Sequence, residues 1–343
     1  MQALVKIKKG EGFIEVRDVP EPECSPNEVL IKVKAAGICG TDLHIWHDKM
    51  IYWPPVIMGH EFSGEIVKTG KSVAGWKKGD RVVAEPHTRA CGVCYLCRSG
   101  NIHLCPHKRA IGWGIDGAFA DYVKMPFHLL HRIPENVSYE EAALSEPLAI
   151  AVNCVILNSG VKAADTVVVE GAGAIGLLAG MTARAAGAKE VIITGVTQDE
   201  KLRLKKAKEL GFKTVNVEKE DLNKLVLDLT EGRGADVVIE AAGVEASVNT
   251  AIQIAKRLGK IAIIGITGEE KINVSWNEAV FKALDIKFCF SSNFDSWERA
   301  LFFMSKRKVQ TSALITHIAS IREWKKLFTE LEEGKGIKGL FTF

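Results

Sequence analysis

Four cysteines lie close together in the sequence and have the spacing of a metal-binding loop. Cys91, Cys94 and Cys97 are separated by two residues each, and Cys105 follows after seven more. Four thiolates from one loop complete a tetrahedral shell around Zn²⁺ and leave no position for water or substrate. The spacing therefore predicts a closed, structural zinc site that fixes a long loop. Chance clustering of buried thiols, a redox relay and an iron–sulfur cluster are the alternatives.

Three further segments contain the donor types that a catalytic metal ion uses. They contribute a thiol at Cys39, an imidazole at His60 and carboxylates at Glu61 and Glu146. A thiolate, an imidazole and carboxylates together suit Zn²⁺. If one position holds water, a substrate oxygen can displace it, and the site becomes catalytic. Taken alone, each fragment is equally consistent with a buried core cysteine or a satisfied polar pair.

The sequence GAGAIG, from Gly171 to Gly176, has the G-x-G-x-x-G pattern of a dinucleotide-binding turn. It follows a β-branched run and opens an alanine-rich segment, which is the context that this motif requires. Gly171 permits the tight turn, Gly173 lets a pyrophosphate approach the backbone, and Gly176 lets the helix pack on the strand. Ile175 belongs to the same motif, so these four residues are the predicted pyrophosphate site. A glycine-rich surface turn is the alternative.

The position that would bind the cofactor ribose departs from the usual pattern of this fold. An acidic residue usually ends the second strand of this fold, but here that strand ends in Gly195. Asp199 either reaches the ribose hydroxyls or serves as the N-cap of the following helix. Alternatively, Gly195 leaves room for a 2′-phosphate that three nearby side chains neutralise, namely Thr197, Lys201 and Arg203. The sequence therefore leaves NAD and NADP open.

The elements that carry these motifs fall into two groups. Up to about residue 150, short apolar or alternating runs between Gly, Pro and Asn clusters predict a mostly-β domain. From residue 142 onward, helical and strand-like segments follow one another in turn. The strand-like segments are apolar at successive positions, without polar residues at every second one, which predicts a doubly wound parallel sheet. The predicted strands of this sheet are Thr166–Glu170, Glu190–Thr194, Thr214–Val217, Ala235–Glu240 and Lys260–Ile264. The predicted helices are Ala142–Asn158, Ala174–Ala186, Asp199–Leu210, 221–229 and 246–257.

Composition narrows the class of protein. The chain has 343 residues, of which 47% are hydrophobic and 25% charged, so two globular domains of about 150 residues are expected. The formal charge of +3 gives no electrostatic reason to expect nucleic acid or an anionic membrane as a partner. No long apolar run predicts a membrane span or a signal peptide, so a cytoplasmic protein is expected. In that compartment the eight cysteines are metal ligands or core residues rather than disulfides. The three remaining cysteines, Cys24, Cys154 and Cys289, are not expected to bind metal.

Together these motifs resemble the zinc-dependent medium-chain alcohol dehydrogenase family over nearly the whole chain. The resemblance rests on six segments, Cys39–His44, Gly59–Gly64, Gly79–Val82, Cys91–Cys105, Glu146–Leu148 and Gly171–Gly176. It is closest to the polyol (sorbitol-type) and L-threonine 3-dehydrogenase branches, which have Glu-Pro where liver-type enzymes carry a cysteine ligand. The resemblance implies an α/β protein with a GroES-like, mostly-β catalytic domain at 1–150 and 291–343. A Rossmann dinucleotide-binding domain at 151–290 would be inserted within it.

The resemblance also implies roles for individual residues. The catalytic zinc ligands would be Cys39, His60 and either Glu61 or Glu146. Thr41 would hydrogen-bond the substrate hydroxyl, and His44, unless it is only a surface histidine, would pass the proton to solvent. His87 matches a histidine that shapes the substrate pocket of threonine dehydrogenases. The cofactor would be NAD or NADP beside one catalytic and one structural Zn²⁺.

The sequence indicates the type of reaction more closely than it indicates the substrate. Glu85-Pro86-His87 favours L-threonine, whereas a short segment before His60 and Ser145-Glu146-Pro147 favour a polyol, sugar alcohol or sugar acid. We expect the second class. A zinc-loop nucleic-acid-binding protein and a non-catalytic protein on the same fold are the competing classes. By analogy with the family, a homodimer or homotetramer is expected. The strand near Phe288–Ser292 is the candidate for the sheet edge that would pair with a second copy across a two-fold axis.

Overall fold

The computed structural model describes residues 1–343 and divides them into two compact units. The first unit contains Met1–Glu146, Ser292–Ser305 and Gln310–Phe343. The second contains Pro147–Ser291 and Lys306–Val309. The chain therefore leaves the first unit, builds most of the second and then returns. The excursion of Lys306–Val309 into the second unit had no signal in the sequence.

The secondary structure consists of sixteen strands and eleven α-helices. The strands are β1 (Gln2–Lys6), β2 (Ile14–Asp18), β3 (Glu28–Gly37), β4 (Val56–Ile57), β5 (Glu61–Thr69), β6 (Arg81–Ala84), β7 (Tyr122–Pro126), β8 (Leu130–Arg132), β9 (Thr166–Glu170), β10 (Glu190–Gly195), β11 (Lys213–Asn216), β12 (Ala235–Glu240), β13 (Ala255–Ile263), β14 (Asp285–Phe288), β15 (Ile315–Ala319) and β16 (Lys338–Thr342). The helices are α1 (Gly40–Trp46), α2 (Tyr95–Arg98), α3 (Tyr139–Ala142), α4 (Ser145–Val152), α5 (Ala174–Ala185), α6 (Lys205–Glu209), α7 (Leu222–Leu229), α8 (Glu245–Ile254), α9 (Trp276–Phe281), α10 (Phe294–Ser305) and α11 (Trp324–Glu332).

The first unit is built on strands that pair antiparallel, except for β15 and β16, which are parallel. Its larger sheet has the order β15-β16-β3-β5-β6-β8, with β7 also paired to β3, and a small sheet has the order β2-β1-β4. The long pair β3 and β5 brings the end of one strand beside the start of the other, because Gly37 lies opposite Glu61. β16, from the end of the chain, pairs with the same end of β3. This corner of the sheet therefore collects residues that are far apart in the sequence.

The second unit is a six-stranded parallel sheet with the order β11-β10-β9-β12-β13-β14. The central strand β9 is buried along its whole length, as expected for a strand covered by helices on both faces. The predicted α/β class, a mostly-β GroES-like part with a Rossmann doubly wound sheet, is confirmed. None of the helices is long and apolar enough to cross a bilayer.

Three predicted elements differ from the structure. The helix predicted over 142–158 is formed by α4 and a π-helical turn at Asn153–Asn158, and the separate helix α3 ends at Ala142, where the predicted helix begins. The Asp199–Leu210 helix begins with 3₁₀ and π turns, and only α6 is α-helical. The predicted helix 246–257 ends at Ile254, and the next strand begins at Ala255. Lys256 forms an ion pair with Asp236 of the neighbouring strand, which favours the extended conformation there.

Two carboxylates lie side by side where β9 and β12 end. Glu170 and Glu240 occupy matching positions in the parallel register, and both are buried. Glu240 Oε1 accepts the backbone N–H groups of Ala242 and Gly243, whereas Glu170 Oε2 has no hydrogen-bond partner. Burial, and then the negative charge of Glu240, raise the pKa of Glu170 well above its usual value. Folded Glu170 therefore keeps its proton to a higher pH than an exposed glutamate does.

Replacing Glu170 by Gln is expected to stabilise the protein progressively as the pH rises. The raised native pKa means that folded Glu170 holds a proton which the unfolded chain loses above about pH 4.3. The contribution of Glu170 to the free energy of unfolding of the wild-type protein therefore decreases as the pH rises. The decrease is about 1.4 kcal/mol for each pH unit between the unfolded and folded pKa values. We expect the Tm of Glu170→Gln minus that of wild type to increase from pH 5 to pH 8. The exposed Glu270→Gln is the control, and a Tm difference independent of pH would contradict a raised pKa.

Candidate active site and cofactor-binding turn

The cysteine loop of the first unit has the geometry of a four-sulfur metal site. The four ligand atoms of Cys91, Cys94, Cys97 and Cys105 all lie within 4.8 Å of one another. Sulfur–sulfur distances are 3.9 Å between Cys91 and Cys97 and 4.0 Å between Cys94 and Cys105. A tetrahedral Zn²⁺ with Zn–S bonds of about 2.3 Å requires sulfurs about 3.8 Å apart. The loop therefore fits Zn²⁺ without rearrangement.

Backbone amides donate to two sulfurs of this loop and favour the thiolate form of Cys91, whereas burial raises the pKa of Cys97 to about 12. The N–H of Cys94 donates to Cys91 Sγ at 3.4 Å, and the N–H of Cys91 donates to Cys105 Sγ at 3.4 Å. Hydrogen bonds from the Val93 and Cys94 amides lower the pKa of Cys91 to about 6. All eight cysteines of the chain are free thiols. A metal ion, rather than a disulfide, is therefore the partner that suits these sulfurs.

The second cluster lies where β3 ends and β5 begins. Cys39 follows β3, and His60 and Glu61 stand at the start of β5, so the antiparallel pairing brings them together. Their ligand atoms lie within 4.8 Å of one another. His60 and Glu61 are buried, and His60 Nδ1 has no hydrogen-bond partner. Gly59 has φ of +87° and lies against Phe119, where a Cβ would come within 2.3 Å of the ring. This glycine therefore fixes the backbone that presents His60.

A buried lysine from the last strand holds Glu61. Lys338 Nζ donates to Glu61 Oε1 at 2.6 Å, lies 2.5 Å from Oε2, and also donates to the carbonyl of Ile38 at 2.8 Å. On the opposite side, a Cβ on Gly37 would lie 2.2 Å from Glu61 Oε2. The Glu61 carboxylate is therefore enclosed between the ammonium and the backbone, and any metal ligation by Glu61 competes with this ion pair.

Glu146, at the start of α4, is the second carboxylate near this cluster. It is buried, and its Oε2 has no hydrogen-bond partner. Burial raises the pKa of Glu146 to about 7, although the charge of His60 opposes this shift. Burial by itself lowers the pKa of His60, but the hydrogen bond and charge of Cys39 outweigh it and raise the pKa to about 10. Buried donors without partners, next to a thiol and an imidazole, fit a cation such as Zn²⁺.

Helix α1 carries the predicted relay residues beside this cluster. Cys39 precedes the helix, and its N–H donates to Asp42 Oδ2 at 2.9 Å. Burial raises the pKa of Asp42 to about 6. Thr41 is half-buried and His44 is exposed on the same helix. The helix therefore runs from the metal donors toward solvent, with a hydroxyl and then an imidazole along it.

His87 lies in the interior of the first unit. Its side chain is fully buried, and Nε2 donates to the carbonyl of Ser292 at 2.8 Å. Nδ1 has no partner, so it presents a lone pair. Burial, and then the charge of Lys108, lower the pKa of His87 to about 3. Lys108 also acts electrostatically on Glu146. His87 is therefore a neutral hydrogen-bond acceptor, and the charge of Lys108 acts on both His87 and Glu146.

The glycine turn of the second unit connects β9 to α5. Gly171 has φ of +106°, a conformation that favours glycine. A Cβ on Gly176 would lie 1.9 Å from the carbonyl oxygen of Gly171, so the helix packs on the turn only because this residue is glycine. Gly173 precedes the twelve-residue helix, and a Cβ there would meet nothing within 4 Å. Ile175 lies in the first turn of the helix. The open space and the free N–H groups at this helix N-terminus fit a pyrophosphate.

The segment after β10 is held by two carboxylates. Asp199 Oδ2 accepts the N–H of Val196 at 3.1 Å, and Asp199 Oδ1 accepts from Arg203 at 3.1 Å. Asp199 therefore closes the 3₁₀ turn that starts at Val196, and it makes no side-chain N-cap bond to the helical segment that follows, which differs from the N-cap role considered for it. Glu218, which follows β11, accepts the N–H of Thr197 at 2.9 Å. A Cβ on Gly195 would lie 3.0 Å from Asp199 Oδ2. Arg203 is thus paired within the protein, and a second acidic side chain lies beside Thr197.

Two groups of residues near these sites were missed by sequence reasoning. One is Lys338, for which the only indication in the sequence was a charged residue within an apolar strand-like segment. The other is a chain of three side chains in which the buried His131 Nε2 lies 3.3 Å from the buried Glu85 and its Nδ1 lies 2.6 Å from the exposed Glu298. His131 also stacks on Trp297 at 5.4 Å. No spacing in the sequence connects these residues, because they are joined only by the fold.

The fold, the two metal-donor clusters and the glycine turn together define a zinc-binding dehydrogenase. The model of the alcohol dehydrogenase GroES-like domain matches residues 25–135, and the model of the zinc-binding dehydrogenase matches residues 174–306. The chain belongs to this zinc-binding alcohol dehydrogenase family. The predicted resemblance to its polyol and threonine branches is confirmed, as is the prediction of an oxidoreductase.

Related proteins align over the full length. A sorbitol dehydrogenase from Halalkalibacterium halodurans is 38% identical over 343 residues, covering 100% of this chain and 99% of the relative. An L-threonine 3-dehydrogenase from Escherichia fergusonii is 36% identical over 350 residues and covers 100% of both chains. A crystal structure of a zinc-binding dehydrogenase from Sinorhizobium meliloti 1021 bound to NADP has a TM-score of 0.92 and 33% identity. It covers 100% of this chain and 99% of that one.

Proposed function

We propose that the protein oxidises a secondary alcohol of the polyol, sugar-alcohol or sugar-acid class with NAD(P)⁺. The balanced reaction converts the alcohol and NAD(P)⁺ into a ketone, NAD(P)H and one proton. The observation that carries this proposal is the set of metal donors formed by the half-buried Cys39 and the buried His60 and Glu61, at the start of a helix that bears Thr41 and His44. These residues combine metal donors with a route for the released proton.

The residues of the first unit divide the chemistry between them. Cys39, His60 and one of the carboxylates Glu61 and Glu146 would hold Zn²⁺, which supplies Lewis-acid polarisation of the substrate oxygen when bound. Thr41 accepts the hydrogen bond of the substrate hydroxyl, and His44, exposed on the same helix, passes the proton to solvent. The four cysteines from Cys91 to Cys105 would hold the structural zinc.

The remaining groups position substrate and cofactor. The neutral imidazole of His87 offers its Nδ1 lone pair to a second substrate hydroxyl, which supports a substrate with vicinal hydroxyl groups. Gly171, Gly173 and Gly176 shape the pyrophosphate site, and the bound dinucleotide supplies the hydride acceptor. The carboxylates of Asp199, after β10, and Glu218, after β11, would repel a 2′-phosphate, which favours NAD⁺ over NADP⁺.

A substrate panel tests this proposal. Polyols, sugar acids and L-threonine are assayed separately with NAD⁺ and NADP⁺, following formation of the reduced nicotinamide. We expect oxidation of vicinal diols, with a higher kcat/KM for NAD⁺. Activity on L-threonine alone would refute the proposed substrate class, and activity on none of the compounds would refute the alcohol dehydrogenase function.

We further propose that the protein is a homodimer or homotetramer assembled through the edge of the second unit. β14 is the last strand of the parallel sheet, so one of its edges is unpaired within the chain. Phe288 on this strand is 81% exposed, and Phe281 and Ile266 are also exposed. Apolar side chains on an exposed strand edge favour pairing with a second copy across a two-fold axis.

Replacing Phe288 by Asp is expected to convert the assembly to monomers. A carboxylate at this position would be placed next to its symmetry mate, where burial and like-charge repulsion both oppose association. Light scattering coupled to size exclusion measures the mass. Phe13→Asp, in the first unit and 45% exposed, is the matched control. A wild-type protein that is already monomeric, or a Phe288→Asp oligomer of unchanged mass, would contradict this interface.

The free thiols support a reducing compartment such as the cytoplasm as the site of action. None of the eight cysteines forms a disulfide, and the zinc-type loop requires reduced sulfur.

A further inference from the structure

A guanidinium without an acidic partner lies on an aromatic face in the first unit. Arg109 Cζ lies 3.6 Å from the centroid of the Trp53 ring, and Trp53 stacks on Trp113 with the ring centroids 5.7 Å apart. The guanidinium makes one long hydrogen bond within the chain, from Nη1 to the carbonyl of Lys108 at 3.4 Å. Arg109 is half-buried. Most of its N–H groups are therefore held in a fixed place without a protein acceptor.

The segment that carries Arg109 is rich in cations and contains no acid. Between Glu85 and Asp116 the sequence has no aspartate or glutamate, and its lysines and arginines are Arg89, Arg98, Lys108 and Arg109. The two bounding acids are engaged elsewhere, since Glu85 lies 3.3 Å from His131 and Asp116 Oδ1 accepts the N–H of Ile57 at 3.0 Å. A bound Zn²⁺ neutralises half of the charge on the four thiolates, so the positive side chains remain in excess.

The backbone of Arg109 lies beside the segment that carries His87. The carbonyl of Arg109 accepts Thr88 Oγ1 at 2.9 Å and the N–H of Arg89 at 3.2 Å. Thr88 directly follows His87 in the sequence. Lys108, the residue before Arg109, acts electrostatically on His87. Arg109 is therefore a close neighbour of the imidazole to which a substrate hydroxyl is assigned above.

The aromatic support of Arg109 comes from the other side of the same region. Trp53 lies in the loop after α1, the helix that carries Thr41 and His44. The N–H of Trp53 donates to the carbonyl of Trp113 at 2.9 Å, so this loop is fixed to the segment that follows Arg109. The stacked group therefore joins the two stretches of chain that bear the proposed substrate-binding residues.

Stacking gives this guanidinium a defined direction. An indole face fixes the plane of a guanidinium that lies on it, and the N–H groups then point outward from the edge of that plane as a fork. Such a fork matches two oxygens of a carboxylate or a phosphate and binds them with two parallel hydrogen bonds. Because Arg109 is only half-buried, an oxyanion of a ligand can reach the fork, and the partial burial strengthens the attraction.

We propose that Arg109, supported by Trp53, binds a negatively charged group at the far end of the substrate chain. This inference rests on the function proposed above, in which His87 accepts a hydrogen bond from the second substrate hydroxyl, and it narrows the substrate class. The ligand chemistry is a pair of oxygens on one carbon or phosphorus atom. The substrate is therefore a sugar acid or the phosphate ester of a sugar alcohol rather than a neutral polyol.

The alternative is a guanidinium that only covers the face of Trp53. Arginine side chains often pack on aromatic rings without binding a ligand. A packing role predicts that a substitution of Arg109 affects neutral and anionic substrates alike. A binding role predicts an effect on the anionic substrates alone, because only these lose an interaction.

Kinetics with three related compounds, D-sorbitol, D-gluconate and D-sorbitol 6-phosphate, test this inference. With the zinc-loaded wild-type protein we expect kcat/KM for one of the anions to exceed that for D-sorbitol by about 10- to 100-fold, as for a charged hydrogen-bonded pair. The preferred anion identifies carboxylate or phosphate as the group that is bound. Equal values for all three compounds would overturn the inference.

Three variants assign the preference to the fork. Arg109→Gln should raise KM for the preferred anion by a similar factor, with kcat and the kinetics of D-sorbitol within about twofold of wild type. Arg109→Lys keeps the charge without the fork and should retain a smaller preference. Arg98→Gln removes an exposed cation of the same segment and should keep the full preference. Equal losses for D-sorbitol and the anion in Arg109→Gln, or loss of the preference in Arg98→Gln, would contradict a binding role.

A binding measurement without turnover separates this inference from the proposed function. Inorganic phosphate and acetate are titrated into the wild-type protein while the tryptophan fluorescence is followed. We expect a saturable change with one of them that is absent in Arg109→Gln and in Trp53→Phe and is retained in Arg98→Gln. If none of the three compounds is oxidised, the proposed function fails, but the titration still decides whether Arg109 binds an oxyanion. No saturable change in wild type, or one that Arg109→Gln retains, would refute the site.

Discussion

Cys39→Ser is expected to abolish most of the dehydrogenase activity while leaving the fold intact. The hydroxyl of serine is a poor ligand for Zn²⁺ compared with a thiolate, so the open site should lose its metal ion. Lewis-acid stabilisation amounts to several kcal/mol, which corresponds to a fall in kcat/KM of about 10³-fold. Elemental analysis should give about two zinc ions per wild-type chain and about one in the variant, because four thiolates hold the other ion.

The matched control is Cys24→Ser, which replaces a partly exposed thiol outside both clusters. It should retain both zinc ions and wild-type kinetics. If Cys39→Ser also retained two zinc ions and full activity, the cluster would not be the catalytic site. Glu61→Gln and Glu146→Gln then identify the direct carboxylate ligand. The variant that loses the second zinc marks the ligand, whereas the other should retain it with a smaller loss of rate.

Lys338→Met is expected to destabilise the protein strongly and to reduce activity as well. The substitution keeps the length of the side chain but leaves the Glu61 carboxylate buried without its cation. Removing one partner of a buried ion pair costs about 3–5 kcal/mol. Urea unfolding should show this loss as a lower midpoint, and kcat should fall because Glu61 is no longer fixed beside Cys39 and His60.

The double variant Lys338→Met/Glu61→Gln distinguishes this cause from simple loss of packing. Because the charge on Glu61 is then absent, part of the lost stability should return, as expected for two coupled positions. Lys335→Met is the control, since that side chain is 66% exposed and lies on the approach to the same strand. An unfolding midpoint equal to wild type in Lys338→Met would show that the buried pair has no stabilising role.

Local patterns were sufficient to predict the fold and the segments that carry the donors. The cysteine loop and the glycine turn have fixed short spacings, because one loop or one strand–helix connection must place all of their atoms. The parallel sheet was predictable for the same reason, since strands such as Thr166–Glu170 are apolar on both faces. These features depend on neighbours in the sequence, and sequence reasoning captures such dependence well.

Features that depend on distant residues could not be predicted. Lys338 and Glu61 are 277 positions apart, and His131 and Glu298 are 167 positions apart. No single-sequence spacing encodes these pairs, because only the strand order of the first unit and the return of the chain bring them together. For the same reason, the sequence leaves open whether Glu61 or Glu146 is the direct zinc ligand. The ion pair of Glu61 with Lys338 is visible only in the folded chain.

The return of β16 to the edge of β3 has a consequence for the order in which a new chain matures. Translation releases the whole of 147–291 before it reaches Lys338, so the second unit is available to fold while the first is still incomplete. The carboxylate of Glu61 exists from early in synthesis but lacks its cation until Lys338 leaves the ribosome. The corner that gathers Cys39, His60 and Glu61 is therefore completed only after the second unit has been synthesised, and a chain that terminates before Lys338 contains the parallel sheet but lacks the cation that holds Glu61 in place.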